Sequence, residues 1–486
     1  MSTAAPPVQI ENLIGGRSCP AADGRVLEKR SPATGEVISH LARSGAGDAA
    51  AAITAAKAAQ PGWAAETPVA RGTLLRRVAQ LLERDADRIA QIVAAETGKS
   101  PADAAGETQG AIEMGYFVAG EGRRFYGRTT TSGVPHRHAS IVRQPVGVAG
   151  LIIAANTPIA NVAWKAFPAL MGGNGAVLKA SEDTPQTAAA FAELVVEAGA
   201  PDGIFNVVHG LGPEVGEAIV TSPDVDLVSF TGSTGVGRMI ARTAGERLAK
   251  VCLELGGKNP LIVCDDADLA GAARTAALSA FSNAGQRCAA GSRIIVFDAV
   301  YDEFRDLLLA EARAQRVGSS DGDDYGPVIN ERQCTRMLAA VDRARAAGAT
   351  ILHGGERIGD RGWYVAPTLI EDAPVDAEVC TAELFGPIAT LHRVGGFEEA
   401  LSLANATSYG LTAAIWTRSV HRAQEFVARV RSGVASVNGP TYGSEPHWPF
   451  GGLGASGTGW REAGTEAMDV YTELKTVHIT HDPAQV

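Results

Sequence analysis

Apolar residues recur every three or four positions over 49–60 (AAAAITAAKAAQ) and again across 69–115, through ARGTLLRRVAQLLERDADRIAQIVAAETG. That spacing puts them on one face of a helix and predicts an α-helical amino-terminal region. Residues 127–146 change character: a Thr-rich TTT, Gly133, Pro135 and the alternating SIVRQPVG suggest an extended hairpin or bridging segment. From Val146 short apolar runs alternate with helical stretches. GVAGLIIAAN, GAVLKAS, IFNVVHG, VDLVSFTG and KVCLELGG read as strands. NVAWKAFPAL, TPQTAAAFAELVVEAG, PEVGEAIVTS and GVGRMIARTAGERL read as the helices between them. This alternation predicts βαβ units around a parallel sheet buried on both faces, with ligands outside the carboxyl ends of its strands. After Gly257 the pattern repeats: ADLAGAARTAALSAFSNAG helical, SRIIVFDAV a strand, YDEFRDLLLAEARAQ a helix, and VDRARAAGATILHGG a further helix–strand pair. The tail, AMDVYTELKTVHIT, alternates as one strand and must add to a sheet edge, in this chain or a neighbouring subunit.

At 486 residues the chain is long enough for two or three domains. Its 45% hydrophobic and 20% charged content is that of a globular protein rather than a disordered one. The net charge of −11 offers no footprint for nucleic acid and no attraction to an anionic membrane surface. MSTAAPPVQIENLIGG lacks a signal peptide's basic start and apolar core, and no run of 18 apolar residues occurs; a cytoplasmic protein is expected. The six cysteines (Cys19, Cys252, Cys264, Cys288, Cys334, Cys380) are scattered, with no CxxC and no histidine cluster beside them. Neither a disulfide framework nor a metal site is expected.

Taken singly, the chemical candidates each admit two readings. Cys288, in FSNAGQRCAAGSR, has small neighbours that would let a substrate approach, and Arg287 could lower its pKa; a buried structural thiol is the alternative. Glu254, in LELGGKNP, ends an apolar strand, where burial would raise its pKa toward that of a general base; a salt-bridged surface glutamate is the alternative. FTGSTGVG (Phe230–Gly237) and HGLGPEVG (His209–Gly216) each join a strand to a helix, a geometry that presents N–H groups to a pyrophosphate or simply makes a tight turn. Lys179 and Glu182, in VLKASEDTP, could grip a ribose; otherwise Ser181 caps a helix with Glu182 at its positive end.

Together these stretches resemble the NAD(P)-dependent aldehyde dehydrogenase superfamily, from about Asn12 to the last strand. LELGGKNP matches its general-base motif, and FSNAGQRCAAGSR its nucleophile motif. FTGSTGVG matches its cofactor-phosphate loop, AELFGP (Ala382–Pro387) a nicotinamide-side motif, and PFGGLGASGTGWRE its carboxyl-terminal signature. The resemblance makes Cys288 the nucleophile, Glu254 the base that activates water, and Asn156 (in AANTP) the side-chain donor to the oxyanion. It places Lys179 and Glu182 on the adenosine ribose, Gly212 near the adenine, and Gly232 and Ser233 at the pyrophosphate. Glu383 and Phe385 fall at the nicotinamide end, with Trp164, Phe450 and Asn161 along the substrate tunnel. The family's usual Pro-Trp before the asparagine is Ala154-Ala155 here, its signature lysine is Gly454, and the first acid of its Glu-Glu pair is Ala382.

Glu254 favours release of a free carboxylic acid over transfer to coenzyme A, whose acylating relatives lack this base. Glu182 favours NAD over NADP, while Lys179 and Ser181 leave room for NADP. Tyr442, Glu445, His447 and Trp448, on the loop NGPTYGSEPHWPF, suggest a semialdehyde or an aromatic aldehyde with a polar substituent as substrate; a broad-range tunnel whose loop residues face solvent is the alternative. The expected fold is α/β in three parts: a Rossmann-like NAD(P)-binding domain from 1–125 and 148–254, a catalytic α/β domain over 255–455, and a small β oligomerisation element from 126–147 and 456–486. In this family that element joins subunits, so a homodimer or homotetramer is expected.

Overall fold

The computed structural model describes residues 6–485; residues 1–5 and 486, the extreme ends of the expected cofactor domain and oligomerisation element, lie outside it. Two seven-stranded sheets carry the molecule. In the first, the strands Lys250–Glu254, Leu227–Thr231, Val148–Ile152, Gly175–Lys179 and Phe205–Val208 run parallel in that spatial order. An antiparallel hairpin, Asn12–Ile14 with Arg17–Cys19, closes the edge. The chain proceeds outward from Val148–Ile152 through two neighbours, then returns to lay Leu227–Thr231 on its other side. The crevice at that reversal, beyond the carboxyl ends of these two strands, is where a doubly wound sheet binds ligands. These strands are buried nearly throughout, which is why they read as continuous apolar runs.

The second sheet orders Thr350–His353, Thr368–Glu371, Ile388–Val394, Gly291–Phe297, Asn259–Val263, Thr412–Trp416 and Val434–Val437, all parallel except the first. The chain crosses between the sheets over Leu255–Lys258. A third sheet pairs Thr472–Thr480 antiparallel with Arg137–Pro145 over nine positions, with Arg128–Thr130 on the far side. The terminal strand therefore finds its edge within this chain.

The helical stretch 69–115 resolves into Pro68–Arg84, Ala86–Thr97 and Pro101–Gly120. The second ends at Gly98, which takes the left-handed φ of +73° suited to a helix stop, and the third starts with Pro101 behind the N-cap Ser100. Periodicity alone missed the three-stranded amino-terminal sheet of Val8–Ile10, Val37–Ala42 and Val26–Arg30, whose strands are short, at three to six residues. The helix expected to run to Gly285 stops at Phe281, because Asn283 and Ala284 turn left-handed at φ +54° each. That break directs the following residues toward the crevice of the first sheet.

Candidate active site

A cavity of about 1080 Å³ opens between the two sheets at the topological reversal. Ten of the thirteen residues singled out by sequence line it: Asn156, Asn161, Trp164, Gly232, Ser233, Glu254, Cys288, Glu383, Phe385 and Phe450. Lys179, Glu182 and Gly212 do not. Lys179 ends the neighbouring strand and Glu182 lies just past it, with Lys179 Nζ 3.0 Å from Glu182 Oε2. Gly212 starts a short turn leading into Glu217–Thr221. The helix after Glu182 begins at Pro185, and its free N–H groups are taken by Glu96 (Gln186 N at 2.6 Å, Thr187 N at 2.9 Å). Ser181 is therefore not its cap, because that helix starts four residues later.

Cys288 follows the left-handed break on a tightly held backbone. Its carbonyl accepts from Asn259 Nδ2 at 2.7 Å, and the same amide reaches Ala290 O at 2.9 Å. Asn156 leaves the end of Val148–Ile152, and its Nδ2 donates to Gln286 O at 2.9 Å, two residues before the thiol. The Asn156 carbonyl in turn accepts from Lys99 Nζ at 2.9 Å and Asn283 Nδ2 at 3.3 Å. The asparagine amide and the cysteine backbone are thus fixed to each other before any substrate arrives. Asn161 turns its own amide toward this loop, 3.4 Å from Asn156 Oδ1 and 3.2 Å from Thr157 Oγ1.

The thiol does not gain the lowered pKa expected from Arg287. Burial pushes it up to about 12, with Glu383 and Glu254 adding to the rise, and Arg287 offsets this least of all. The guanidinium lies instead over the Tyr442 ring, 4.7 Å from its centroid. Glu254 is buried with neither carboxyl oxygen hydrogen-bonded. Burial first, then the Glu462 carboxylate, raises its pKa well above the ordinary range, against the pull of Lys165 and Arg461. An unpartnered carboxyl with raised proton affinity is a stronger base than an exposed one and is free to accept from a thiol or a water.

Sequence reading missed the ionic support behind Glu254. Lys165, fully buried, forms an ion pair with Glu462, and both meet Ser229 Oγ at 2.9 Å. A lysine inside the apolar helix PIANVAWKAFPALM is the signal that could have found it, since a buried ammonium requires a partner. Glu462 comes from the stretch 456–462, grouped by sequence with the oligomerisation element. That stretch runs beside the first sheet, with Leu255 N donating to Ser456 O at 2.9 Å, and Glu462 lines the cavity.

At the other end of the cavity, Ser233 caps the helix Thr234–Glu246, whose first N–H groups face inward, and Thr231 Oγ1 is buried with no partner. A Cβ on Gly232 would strike the Phe230 ring, and one on Gly256 would overlap the Glu383 carboxylate. Glu383 accepts from Gly257 N at 3.1 Å, and burial raises its pKa to about 7. Phe385 is held at φ +59°, a strained conformation for an aromatic residue and one that recurs at ligand-binding positions. A helix N-terminus, an orphaned hydroxyl and a glycine-lined floor fit a pyrophosphate with a ribose and flat ring beyond it. Trp164 and Phe450 meet edge to face, centroids 5.6 Å apart, as an apolar wall. Of the loop residues offered for substrate, Tyr442 lines the cavity; Trp448 is half-exposed, and Glu445 and His447 face solvent. Among the described residues no cluster suits a metal ion, and no helix is long and apolar enough to cross a membrane.

The family model for the aldehyde dehydrogenase family matches residues 20–477. The chain is 39% identical to a mitochondrial aldehyde dehydrogenase of Leishmania tarentolae, over 97% of this chain and 95% of that one. It is 38% identical to the alpha-ketoglutarate semialdehyde dehydrogenase of Haloferax volcanii, over 96% and 98%. The crystal structure of an NAD-dependent aldehyde dehydrogenase from Sinorhizobium meliloti superimposes with a TM-score of 0.95 at 35% identity, covering 98% of this chain and 95% of that one. With sequence, fold and cavity in agreement over nearly its whole length, the chain belongs to the aldehyde dehydrogenase family.

Proposed function

We propose that this enzyme oxidises a semialdehyde or aromatic aldehyde to the free acid through Cys288, Asn156 and Glu254, preferring NAD to NADP. The observation that carries the reading is the single cavity in which thiol, amide and unpartnered carboxyl share one end and the Ser233 helix the other. Cys288 releases its thiol proton to solvent, and its sulfur adds to the aldehyde carbonyl. The resulting oxyanion is received by Asn156 Nδ2 and the Cys288 N–H; losing one such donor costs about 10²–10³ in rate. When bound, the nicotinamide dinucleotide supplies the hydride acceptor that turns the hemithioacetal into a thioester. Glu254 then takes a proton from a water that adds to the thioester carbonyl, the C–S bond breaks, and acid and thiol are released.

Ser233 and the backbone at Gly232 would hold the pyrophosphate, Lys179 and Glu182 the adenosine ribose, and Gly212 the adenine side. Glu383 and Phe385 would hold the nicotinamide riboside, while Trp164, Phe450 and Asn161 bound the substrate tunnel. The Lys179–Glu182 pair supports NAD, since a carboxylate beside the ribose opposes a 2′-phosphate. The crossing at Leu255–Lys258 supports a cofactor domain from 1–125 and 148–254 and a catalytic domain from 255. Leu474 and Ile479, 58% and 62% exposed on the terminal strand, support a homodimer or homotetramer built through that sheet. The six unpaired thiols accord with a cytoplasmic setting.

The test is reduced-nicotinamide absorbance with NAD or NADP across aliphatic, aromatic and carboxylate-bearing aldehydes, with Cys288→Ala in parallel. Signal from the wild type and none from a Cys288→Ala variant that still binds cofactor is the expected result. Equal turnover of plain long-chain aldehydes would overturn the substrate class, and signal from the variant would overturn the nucleophile.

A further inference from the structure

Arg287 is the residue on which the substrate end of the cavity leaves chemistry unassigned. Its guanidinium lines the cavity next to the nucleophile and stacks on Tyr442 at 4.7 Å. Its Nε is buried with no hydrogen-bond partner among the described residues. No acid lies within 4.0 Å of it among the described residues, whereas Lys99, also on the cavity wall, is paired with Glu107 at 2.6 Å. A buried guanidinium edge without an acceptor forgoes a charge-assisted hydrogen bond that any anion placed there would make.

The acids of the same cavity do not cancel this charge. Glu107 and Glu462 are paired with lysines, Glu383 accepts from Gly257 N at 3.1 Å, Asp103 sits in the first turn of its own helix, whose positive end it complements, and Glu254 lies beyond 4.0 Å of the guanidinium. We infer that Arg287, braced on Tyr442, is an anion-binding subsite that selects aldehydes carrying a carboxylate at the end distal to the carbonyl. The inference rests on the proposed aldehyde oxidation and deepens its substrate class. One guanidinium balances a monoanionic carboxylate.

The experiment compares kcat/KM for ω-oxo acids of four to six carbons with that for their methyl esters, in wild type, Arg287→Gln and Arg287→Lys, with glyceraldehyde 3-phosphate as a further substrate. Wild type is expected to favour the acid over its ester. Arg287→Gln should lower that ratio by about 10- to 150-fold, the share of one hydrogen bond to a charged group. Arg287→Lys should fall between, because an ammonium keeps the charge but not the planar fork. Reading a ratio cancels general damage to folding or to the thiol. Acid and ester used equally by wild type, or a ratio unmoved by Arg287→Gln, overturns the subsite while leaving the aldehyde reaction standing. Preference for the phosphorylated aldehyde overturns the carboxylate assignment. No turnover of acid, ester or phosphate by folded protein that binds NAD overturns the oxidation itself, and the subsite with it.

Discussion

Replacing Lys165 by Met removes the one ammonium facing two buried carboxyls. In the wild type, Lys165 and Glu462 are 0% and 3% exposed and share Ser229, whose hydroxyl also receives the Tyr471 O–H at 3.1 Å. At an effective dielectric of about 20, a contact pair attracts by about 4–5 kcal/mol. Deleting one partner of a buried pair costs about 3–5 kcal/mol, because the survivor stays desolvated. Lys165→Met should therefore lose about 3–5 kcal/mol of unfolding free energy at pH 8. The variant escapes part of this by placing a proton on Glu254, whose pKa burial and then the Glu462 carboxylate already raise. A carboxyl whose folded pKa is raised above its unfolded value stabilises fully below the unfolded pKa and loses that contribution as pH rises through the folded one. The deficit should thus shrink at pH 5 and grow toward pH 8. Urea unfolding of wild type, Lys165→Met, Glu462→Gln and the double variant at both pH values measures it. The double variant, with neither member of the ion pair left without its partner, should recover most of the loss. A single variant within 1 kcal/mol of wild type at pH 8 by this order-of-magnitude account, or a double variant as damaged as the single, would refute the reasoning.

Glu254→Gln should lower steady-state kcat by about 10²–10⁴ while keeping a burst of reduced cofactor near one per site, seen by stopped flow; wild-type steady-state turnover would remove Glu254 from the base role. Gly256→Ala would put a methyl group into the Glu383 carboxylate, and overpacking of about 1–3 kcal/mol should raise the cofactor dissociation constant about 5- to 150-fold in a fluorescence titration. An unchanged constant would mean Glu383 does not contact the cofactor. His209 is fully buried, with neither ring nitrogen partnered, and burial, followed by Lys179, lowers its pKa to about 3. A lowered histidine stabilises fully above its unfolded pKa near 6.5 and loses that as pH falls, by about 2 kcal/mol at pH 5. His209→Leu should flatten the acid limb of the stability profile by about that amount; an unaltered limb would count against it.

The parallel-sheet architecture was legible because strands buried on both faces read as apolar runs separated by helical periods, as in GAVLKAS followed by TPQTAAAFAELVVEAG. The amino-terminal strands were not, because segments such as Val26–Arg30 are short, half-exposed and carry Glu28, Lys29 and Arg30. Cys288, Glu254 and Asn156 were found through motifs, each of which keeps its chemistry within a few consecutive residues.

Sequence by itself determined what is local: which of the strongly patterned stretches are helix or strand, where glycines allow the turn at Gly232, and which residues could act as nucleophile, base and oxyanion donor. Only the tertiary structure decided how those groups behave, because burial and charge partners come from segments far apart in the chain. Cys288 loses the lowered pKa that Arg287 suggested, since burial raises it first, Glu383 and Glu254 add to the rise, and the guanidinium stacks on Tyr442. Lys165 and Glu462, 297 positions apart, meet behind Glu254 only once the helix after Asn156 and the carboxyl-terminal stretch pack on the same strands. Desolvation depends on everything packed around a group, and no window of sequence contains that.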